Sequence, residues 1–148
     1  LSSHSWGDVL FSGERPEVAV VAVGSMVPVA LEAAGRSDVP VRVLDPRWAL
    51  PVADGLVDEL MSGYRGVVTV EDGLVDGVGS EIALALARAG YTGGQAHIGV
   101  RREFLDHRTR ASALAREGMT ADDVLSGISA AGRADGPALL RPRGARSA

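Results

Sequence analysis

Short, continuous runs of apolar and mostly β-branched residues alternate along this chain with stretches of helical periodicity. The clearest run, Val18–Val23, contains no polar residue and ends at Gly24, which is typical of a strand buried on both faces. Three more strands are predicted, at Val41–Leu44, Gly66–Val70 and about Gln95–Val100. Strands that alternate with helices in this way form a parallel sheet. The sequence therefore predicts a three-layer, doubly wound α/β domain with a mostly parallel sheet and helices on both faces.

The stretches between the strands have the apolar spacing of amphipathic helices. Helices are predicted at residues 25–35, 56–61, 78–89, 109–117 and 120–131. Ser25 and Thr120 are predicted N-caps, and Gly90 is a predicted C-cap. Pro28 falls in the first turn of its helix, where a missing amide hydrogen costs little. The triplet Glu71-Asp72-Gly73 is predicted to end the third strand.

Composition changes along the chain and predicts three parts. Residues 1–16 are rich in Ser, Gly and His and are expected to form a lead-in linker or a short edge strand. Residues 17–132 carry the strand and helix alternation and form the predicted α/β domain. Residues 133–148 consist mainly of Gly, Pro, Arg and Ala, and we expect a disordered tail there.

The composition of the 148 residues excludes several classes of site. The chain has no cysteine, so disulfides, thiolate zinc sites and cysteine nucleophiles are excluded. All 15 basic residues are arginine, which excludes a Schiff-base or P-loop lysine. A net charge of -4 and 4% aromatic residues disfavour a nucleic-acid partner. No apolar run reaches the roughly 20 residues of a membrane helix. We therefore expect a soluble, cytoplasmic protein with neither a membrane nor a nucleic-acid partner.

One Gly-rich turn follows the third strand and could bind an anion. Gly77, Gly79 and Ser80 lie at the start of a predicted helix, where free amides and the helix dipole favour a phosphate or diphosphate. The alternative is that the glycines only permit a tight turn and close packing of the helix on the sheet. Leu84 replaces the last glycine of a dinucleotide fingerprint. Acidic residues of the same loop would also repel an anion, which favours the alternative.

Two pairs of charged residues follow predicted strands. Glu71 and Asp72 could act as paired carboxylates, but adjacent residues leaving a strand point to opposite sides. A helix cap, or an ion pair with an arginine, is the favoured role for them. Asp45 and Arg47 flank a proline and could form an ion pair or part of an interface.

The three histidines do not form a recognisable metal or catalytic pattern. His97 lies in a predicted strand and His107 before a predicted helix, so they share no metal-ligand spacing. A triad could be assembled from Ser25, His107 and Asp106, but no G-x-S-x-G elbow supports it. Hydrolase chemistry is therefore disfavoured.

Several motifs in fixed order resemble a known family. They are "VVAVGSMVP" (20–28), "LDPRWALPVAD" (44–54), "VTVEDGLVDGVGS" (68–80) and "IGVRREFLDHRTRASALAREGMTADDVLSGI" (98–128). Together with "GDVLFSG" at residues 7–13, they resemble the C-terminal domain of the transketolase-like, thiamine-diphosphate-dependent enzymes. Within that superfamily the 1-deoxy-D-xylulose-5-phosphate synthases are most similar. The resemblance covers about residues 7–132 and departs from the family at Arg101 and Arg108, where the family has proline and glycine.

The resemblance implies a role in an enzyme whose chemistry lies elsewhere. In such synthases thiamine diphosphate and Mg²⁺ support decarboxylation of pyruvate and transfer of its two-carbon unit to glyceraldehyde 3-phosphate. The cofactor-binding motif and the catalytic histidines and glutamate of the family belong to the two preceding domains, and Glu71 does not match that glutamate. The resemblance therefore implies an assembly domain, inactive alone, whose partners are the preceding thiamine-binding domains in a homodimer. No catalytic, cofactor or metal residue is expected in this chain.

Two other functions stay open. A stand-alone regulatory module of the same fold would bind an anion or nucleotide at residues 77–80. The equivalent domain of a 2-oxo acid dehydrogenase β subunit has a turn similar to residues 70–81, although the motifs at residues 104–123 argue against it.

An interface is predicted at the carboxyl edge of the sheet. The candidate residues are Trp48, Leu50, Leu74, Val75 and Val78. Their two loops are expected to leave neighbouring strands, and apolar residues in an acidic, Gly-rich loop suit an interface. The alternative is that Trp48 folds back onto its own helix and the loop hydrophobes cap the core.

Overall fold

The computed structural model describes residues 2–74, 77–100, 119–133 and 139–140. The strands within these ranges are β1 (Ser2–His4), β2 (Gly7–Ser12), β3 (Val18–Ala22), β4 (Val41–Asp45), β5 (Gly66–Leu74), β6 (Gly94–Val100) and β7 (Leu139–Leu140). The helices are a 3₁₀ turn (Gly24–Met26), α1 (Val27–Arg36), α2 (Asp54–Leu60), α3 (Val78–Ala89) and α4 (Ala121–Arg133). The predicted helix at residues 109–117 lies outside the described residues.

The seven described strands form one sheet in the order β1-β2-β4-β3-β5-β6-β7. β3 pairs in parallel with both β4 and β5, and β5, β6 and β7 continue the parallel arrangement. Only the β1–β2 and β2–β4 pairs in this part of the chain are antiparallel. The prediction of a mostly parallel α/β sheet is confirmed.

Alternate residues of the central strands supply two hydrophobic cores, one on each face of the sheet. Val18 and Val20 pack with α1 and α4, whereas Ala19 and Val21 pack with α2 and α3. All four of these side chains are fully buried. The continuous apolar run of β3 thus follows from burial on both faces, which produces the three-layer architecture.

Several predicted element boundaries agree with the structure. α3 spans Val78–Ala89, and Gly90 ends it in the left-handed conformation with φ 82°, where glycine is favoured because it lacks a Cβ atom. Thr120 and Asp123 form a reciprocal cap at the start of α4: Thr120 N donates to Asp123 Oδ2 at 3.1 Å and Asp123 N donates to Thr120 Oγ1 at 3.4 Å. None of the helices in the described ranges is long and apolar enough to cross a membrane.

The predicted end of the third strand is wrong, and two residues of the predicted tail form a strand. Glu71-Asp72-Gly73 does not end the third predicted strand, because β5 continues to Leu74 with a shift of register between Val70 and Leu74 against β6. A bulge of this kind absorbs irregular residues without ending the strand. The predicted disordered tail also contains β7, which pairs with Gln95 and Ala96 of β6.

Residues of the predicted lead-in form part of the sheet. β1 and β2 make an antiparallel hairpin, and β2 pairs with β4 along one edge. In the turn between β1 and β2, Trp6 is buried in the core under α2 and α3. A Cβ atom at Gly55, in the first turn of α2, would lie only 2.9 Å from Trp6 Cδ1. The lead-in is therefore packed against α2.

Candidate functional site

The carboxyl ends of β3 and β5 lie side by side where the winding of the sheet reverses direction. β3 leads to α1 on one face, whereas β5 leads to α3 on the opposite face. Doubly wound folds bind their ligands in the crevice that opens at such a point. The predicted anion site, formed by Gly77, Gly79 and Ser80, lies here, because α3 begins at Val78.

The start of α3 is capped by a carboxylate of the chain itself. Val78 N donates to Glu71 Oε2 and Gly79 N donates to Glu71 Oε1, each at 3.0 Å. The Glu71 side chain is 4% exposed. Free amides at a helix start normally attract an anion, and here Glu71 provides that negative charge. Two of the amides that an external anion would use are therefore engaged, and the role favoured for Glu71, a helix cap, is the one observed.

Gly79 lets α3 approach β5 and β6 closely. A Cβ atom at this position would lie 2.8 Å from Thr69 Oγ1, 3.2 Å from His97 Nδ1 and 3.3 Å from Glu71 Oε1. A contact of 2.8 Å cannot be accommodated without movement, and the surrounding side chains are buried. The alternative explanation, close packing of the helix on the sheet, therefore explains why glycine stands at position 79.

His97 belongs to the same buried polar cluster. Its Nδ1 atom lies 2.7 Å from Thr69 Oγ1, and burial lowers the pKa of the imidazole. Within the described part of the chain, the buried atoms His97 Nε2 and Gln95 Oε1 have no hydrogen-bond partner. A histidine with a lowered pKa is neutral at physiological pH, so this cluster places no positive charge beside Glu71.

Ser25 does not cap α1. The 3₁₀ turn intervenes, the N-cap of α1 is Met26, and no side chain caps that end. Ser25 Oγ instead donates to Asp72 Oδ2 at 2.5 Å across the crevice. The prediction was wrong because the hydroxyl finds a charged acceptor on β5, and a hydrogen bond to a carboxylate is stronger than one to a backbone amide. Of the hypothetical triad, His107 and Asp106 lie outside the described residues.

A second set of charged residues shapes the loop after β4. Arg47 Nε and Nη2 donate to Asp8 Oδ2 and Oδ1, both at 2.6 Å, in a two-pronged ion pair. Asp45 Oδ1 accepts the backbone amide of Arg47 at 2.8 Å. Of the two alternatives for Asp45 and Arg47, the direct ion pair is not the one formed: the guanidinium pairs with Asp8 on the adjacent strand β2, and Asp45 accepts the amide of the turn.

This ion pair holds a strained turn that presents apolar residues to solvent. Arg47 has φ 52°, a left-handed conformation that costs a non-glycine residue about 1 kcal/mol or more. Trp48, directly after it, is 79% exposed, and Leu50 is 53% exposed. Trp48 therefore does not fold back onto its own helix, and both residues keep the exposure that the interface prediction requires.

Of the other predicted interface residues, Val78 does not join them. Val78 is 7% exposed and packs in the core beneath α3, so it cannot contribute to an interface. Leu74 lies in β5, paired with Val100 of β6, and Val75 lies outside the described residues. The strands that precede the two loops are also not neighbours, since β3 lies between β4 and β5. The expectation that these two strands are neighbours is wrong, because the chain crosses to the other side of β3 after β4.

The described start of α3 does not fit the diphosphate group of thiamine diphosphate. Within the described ranges no group of three or more His, Asp or Glu side chains could hold a metal ion. At the crevice, two amides at the start of α3 that would suit a diphosphate are engaged by Glu71. No step of thiamine chemistry can be assigned to these residues.

Sequence reasoning missed two contributors to these sites. Asp8 lay in a stretch assigned to a linker or edge strand, and its partner Arg47 is 39 residues away. Thr69 lies inside a predicted strand, and the only sign of its role in the sequence is that it is a polar residue within an apolar run. An inward polar residue on a central strand predicts a buried hydrogen bond, and that signal could have been used.

The fold and the sequence define a class of protein. Residues 7–124 match the family model described as "Transketolase, C-terminal domain". This chain belongs to the transketolase C-terminal domain family. A solved split-gene transketolase, described as an inactive β4 tetramer, superposes with a TM-score of 0.76 and 31% identity, covering 87% of this chain and 43% of that one.

Among its relatives, the chain is similar to 1-deoxy-D-xylulose-5-phosphate synthases. It is 38% identical over 130 residues to the synthase of Cutibacterium acnes, covering 87% of this chain and 21% of that protein. It is 45% identical over 116 residues to the synthase of Rhodococcus erythropolis, covering 76% of this chain and 18% of that protein. The chain thus spans about a fifth of the length of these relatives.

Proposed function

We propose that this chain is the C-terminal domain of a 1-deoxy-D-xylulose-5-phosphate synthase, with a role in assembly and no catalytic residue of its own. The whole enzyme condenses pyruvate with glyceraldehyde 3-phosphate in the cytoplasm, which supplies precursors of isoprenoids and thiamine. The observation that carries the proposal is the continuous match of 130 residues, at 38% identity, to a synthase of which this stretch is one fifth.

The polar residues at the crevice support a structural role. Both oxygens of Glu71 accept backbone amides at 3.0 Å, so this carboxylate serves to anchor α3. His97 is buried beside Thr69. Neither residue is placed to meet a substrate in solvent. We therefore place thiamine diphosphate and Mg²⁺ in the preceding domains, as the resemblance implies.

Assembly is the remaining role for the exposed residues. Trp48 and Leu50 are the most exposed large apolar side chains of the described residues, and exposed aromatic anchors are typical of interfaces. The split-gene relative, of which this chain covers 43%, is described as an inactive tetramer, which supports the proposal that chains containing a domain of this type associate. We propose that this chain contributes to a homodimer in which the preceding domains carry the reaction.

The test is a chimera. In the synthase of Rhodococcus erythropolis, the segment that aligns with this chain is deleted or is replaced by this chain. We expect the replaced enzyme to form 1-deoxy-D-xylulose 5-phosphate from pyruvate and glyceraldehyde 3-phosphate, and the deleted enzyme and the isolated chain to form none. A matched control carries the corresponding domain of the split-gene transketolase. Product from the isolated chain, or none from a folded chimera, would refute the proposal.

A further inference from the structure

A groove runs between α2 and α3 on the face of the sheet opposite α1 and α4. It has a volume of about 570 Å³ and an apolar floor that includes Leu50, Val57 and Leu84. Leu84 is 44% exposed although it lies in the middle of α3. Together with Leu50, which is 53% exposed, it gives the groove an exposed apolar lining of the kind that a partner can cover.

The rim of this groove is acidic. Asp54 and Asp58 line it from α2, one helical turn apart, and Glu81 lines it from α3. Arg88 is the only basic residue among the lining residues. Three carboxylates against one guanidinium give the rim a formal charge of −2. An occupant that buries the apolar floor must therefore bring positive charge to the rim.

Trp48 precedes the groove in the chain, two residues before Leu50, which lines it. The ion pair of Arg47 with Asp8 holds the turn in its strained conformation, and this leaves the Trp48 side chain 79% exposed. Trp48 thus adds a second exposed apolar side chain close in sequence to the lining residue Leu50.

Charge argues against a second copy of this chain as the occupant. Two grooves facing each other across a two-fold axis would bring two acidic rims together, and the whole chain also carries a net charge of -4. Like charges across an interface weaken association. The complementary partner is a polypeptide segment with apolar residues flanked by lysine or arginine.

We infer that the groove between α2 and α3, together with Trp48, is the docking surface for such an apolar, basic segment of the thiamine-binding domains of the synthase. This inference rests on the proposed function and identifies the surface through which this domain contacts the rest of the enzyme. Leu50 and Leu84 supply the apolar contact, and Asp54, Asp58 and Glu81 select for the basic flanks.

The test measures binding of the 148-residue chain to the Rhodococcus erythropolis synthase from which the aligned segment has been deleted. Titration calorimetry compares the wild-type chain with Leu84→Glu, and with Phe11→Glu as the matched control. Phe11 is 36% exposed and lies on β2, outside the groove. We expect Leu84→Glu to raise the Kd at least about tenfold and Phe11→Glu to change it less than about twofold. Circular dichroism verifies that both variants are folded.

A charge pair tests the rim. The Kd of a double variant of the rim, Asp58→Asn with Glu81→Gln, is compared with that of a control double variant, Glu14→Gln with Asp38→Asn. The two control residues are exposed acids outside the groove. We expect only the first pair to raise the Kd, by about threefold to tenfold, and to reduce the dependence of binding on salt.

The outcomes separate the two proposals. If the wild-type chain does not bind the truncated synthase, the proposed function and this inference both fail. If it binds, and Leu84→Glu binds as tightly, the proposed function stands and the groove is not the docking surface. If Leu84→Glu abolishes only self-association of the chain, the occupant is a second copy and the inference is wrong. If the rim variants bind as tightly as the wild type, the negative charge of the rim does not select the partner.

Discussion

The Oε1 atom of Glu71 lies 3.0 Å from the backbone nitrogen of Gly79, so a residue on β5 occupies the position at which a helix start would hold an anion. The second carboxylate oxygen accepts the amide of Val78 at the same distance. The negative charge favoured by the dipole of α3 therefore comes from within the chain.

Removing this cap should cost stability and open the site. Glu71→Ala leaves two buried amides without an acceptor, and we expect the free energy of unfolding to fall by at least about 2 kcal/mol in urea titrations. Asp72→Ala changes the adjacent, exposed carboxylate and should cost less than about 1 kcal/mol. Inorganic phosphate at millimolar concentration should then raise the melting temperature of Glu71→Ala and leave that of the wild type unchanged. A similar rise in both would show that the amides are accessible in the wild type.

Two glycines in helices should respond in opposite directions to alanine. Gly79→Ala places a Cβ atom 2.8 Å from Thr69 Oγ1, and overpacking of a buried site costs about 1–3 kcal/mol. A Cβ atom at Gly35, near the end of α1, has no atom within 4 Å. Gly35→Ala should therefore raise the free energy of unfolding by about 0.5–1 kcal/mol. Equal effects of the two changes in chemical denaturation would contradict the close approach of α3 to the sheet.

Stability should decline in mild acid through His97. Burial lowers the pKa of this imidazole in the folded state, whereas the pKa of a histidine in the unfolded chain is about 6.5. The unfolded state therefore binds more protons as the pH falls below that value, and protonation favours unfolding. Urea unfolding at pH 7.5 and 5.5 should show a smaller loss of stability for His97→Gln than for the wild type. Equal losses in the two proteins would mean that His97 is protonated alike in both states.

The strained turn at Arg47 can be separated from its ion pair. Arg47→Ala removes the contact with Asp8 and keeps the left-handed conformation, and should cost up to about 1 kcal/mol because the pair is partly exposed. Arg47→Gly removes the same contact and relieves the strain, so it should be more stable than Arg47→Ala by about 1 kcal/mol. Thermal denaturation of both variants measures the difference. The opposite order would show that the backbone at residue 47 is not left-handed.

The central elements could be predicted because their signals are local. Val18–Ala22 is apolar without interruption since both of its faces are buried, and this pattern suffices to predict a strand in a parallel sheet. α3 was predicted with its observed bounds because Gly90 marks its end. The class of fold follows from the alternation of such segments alone.

The contacts that shape the candidate sites join distant residues and leave no local signal. Asp8 and Arg47 meet only because β2 pairs with β4, and no spacing rule predicts that pairing. Ser25 has the residue type of an N-cap, but the tertiary fold offers it Asp72, which is 47 residues away. The order of the strands likewise depends on the direction in which the chain crosses β3, which local periodicity does not encode.

The pairing of β2 with β4 has a consequence for how this domain can be shortened. A chain that began at Glu17 would keep every parallel strand but would uncover the β4 edge, whose residues 42–45 now pair with β2. Uncovered edges of this kind recruit strands from other molecules and promote aggregation. The first 12 residues, which look dispensable by composition, thus protect the domain from its own neighbours, and their removal should reduce solubility in addition to removing the core packing of Trp6.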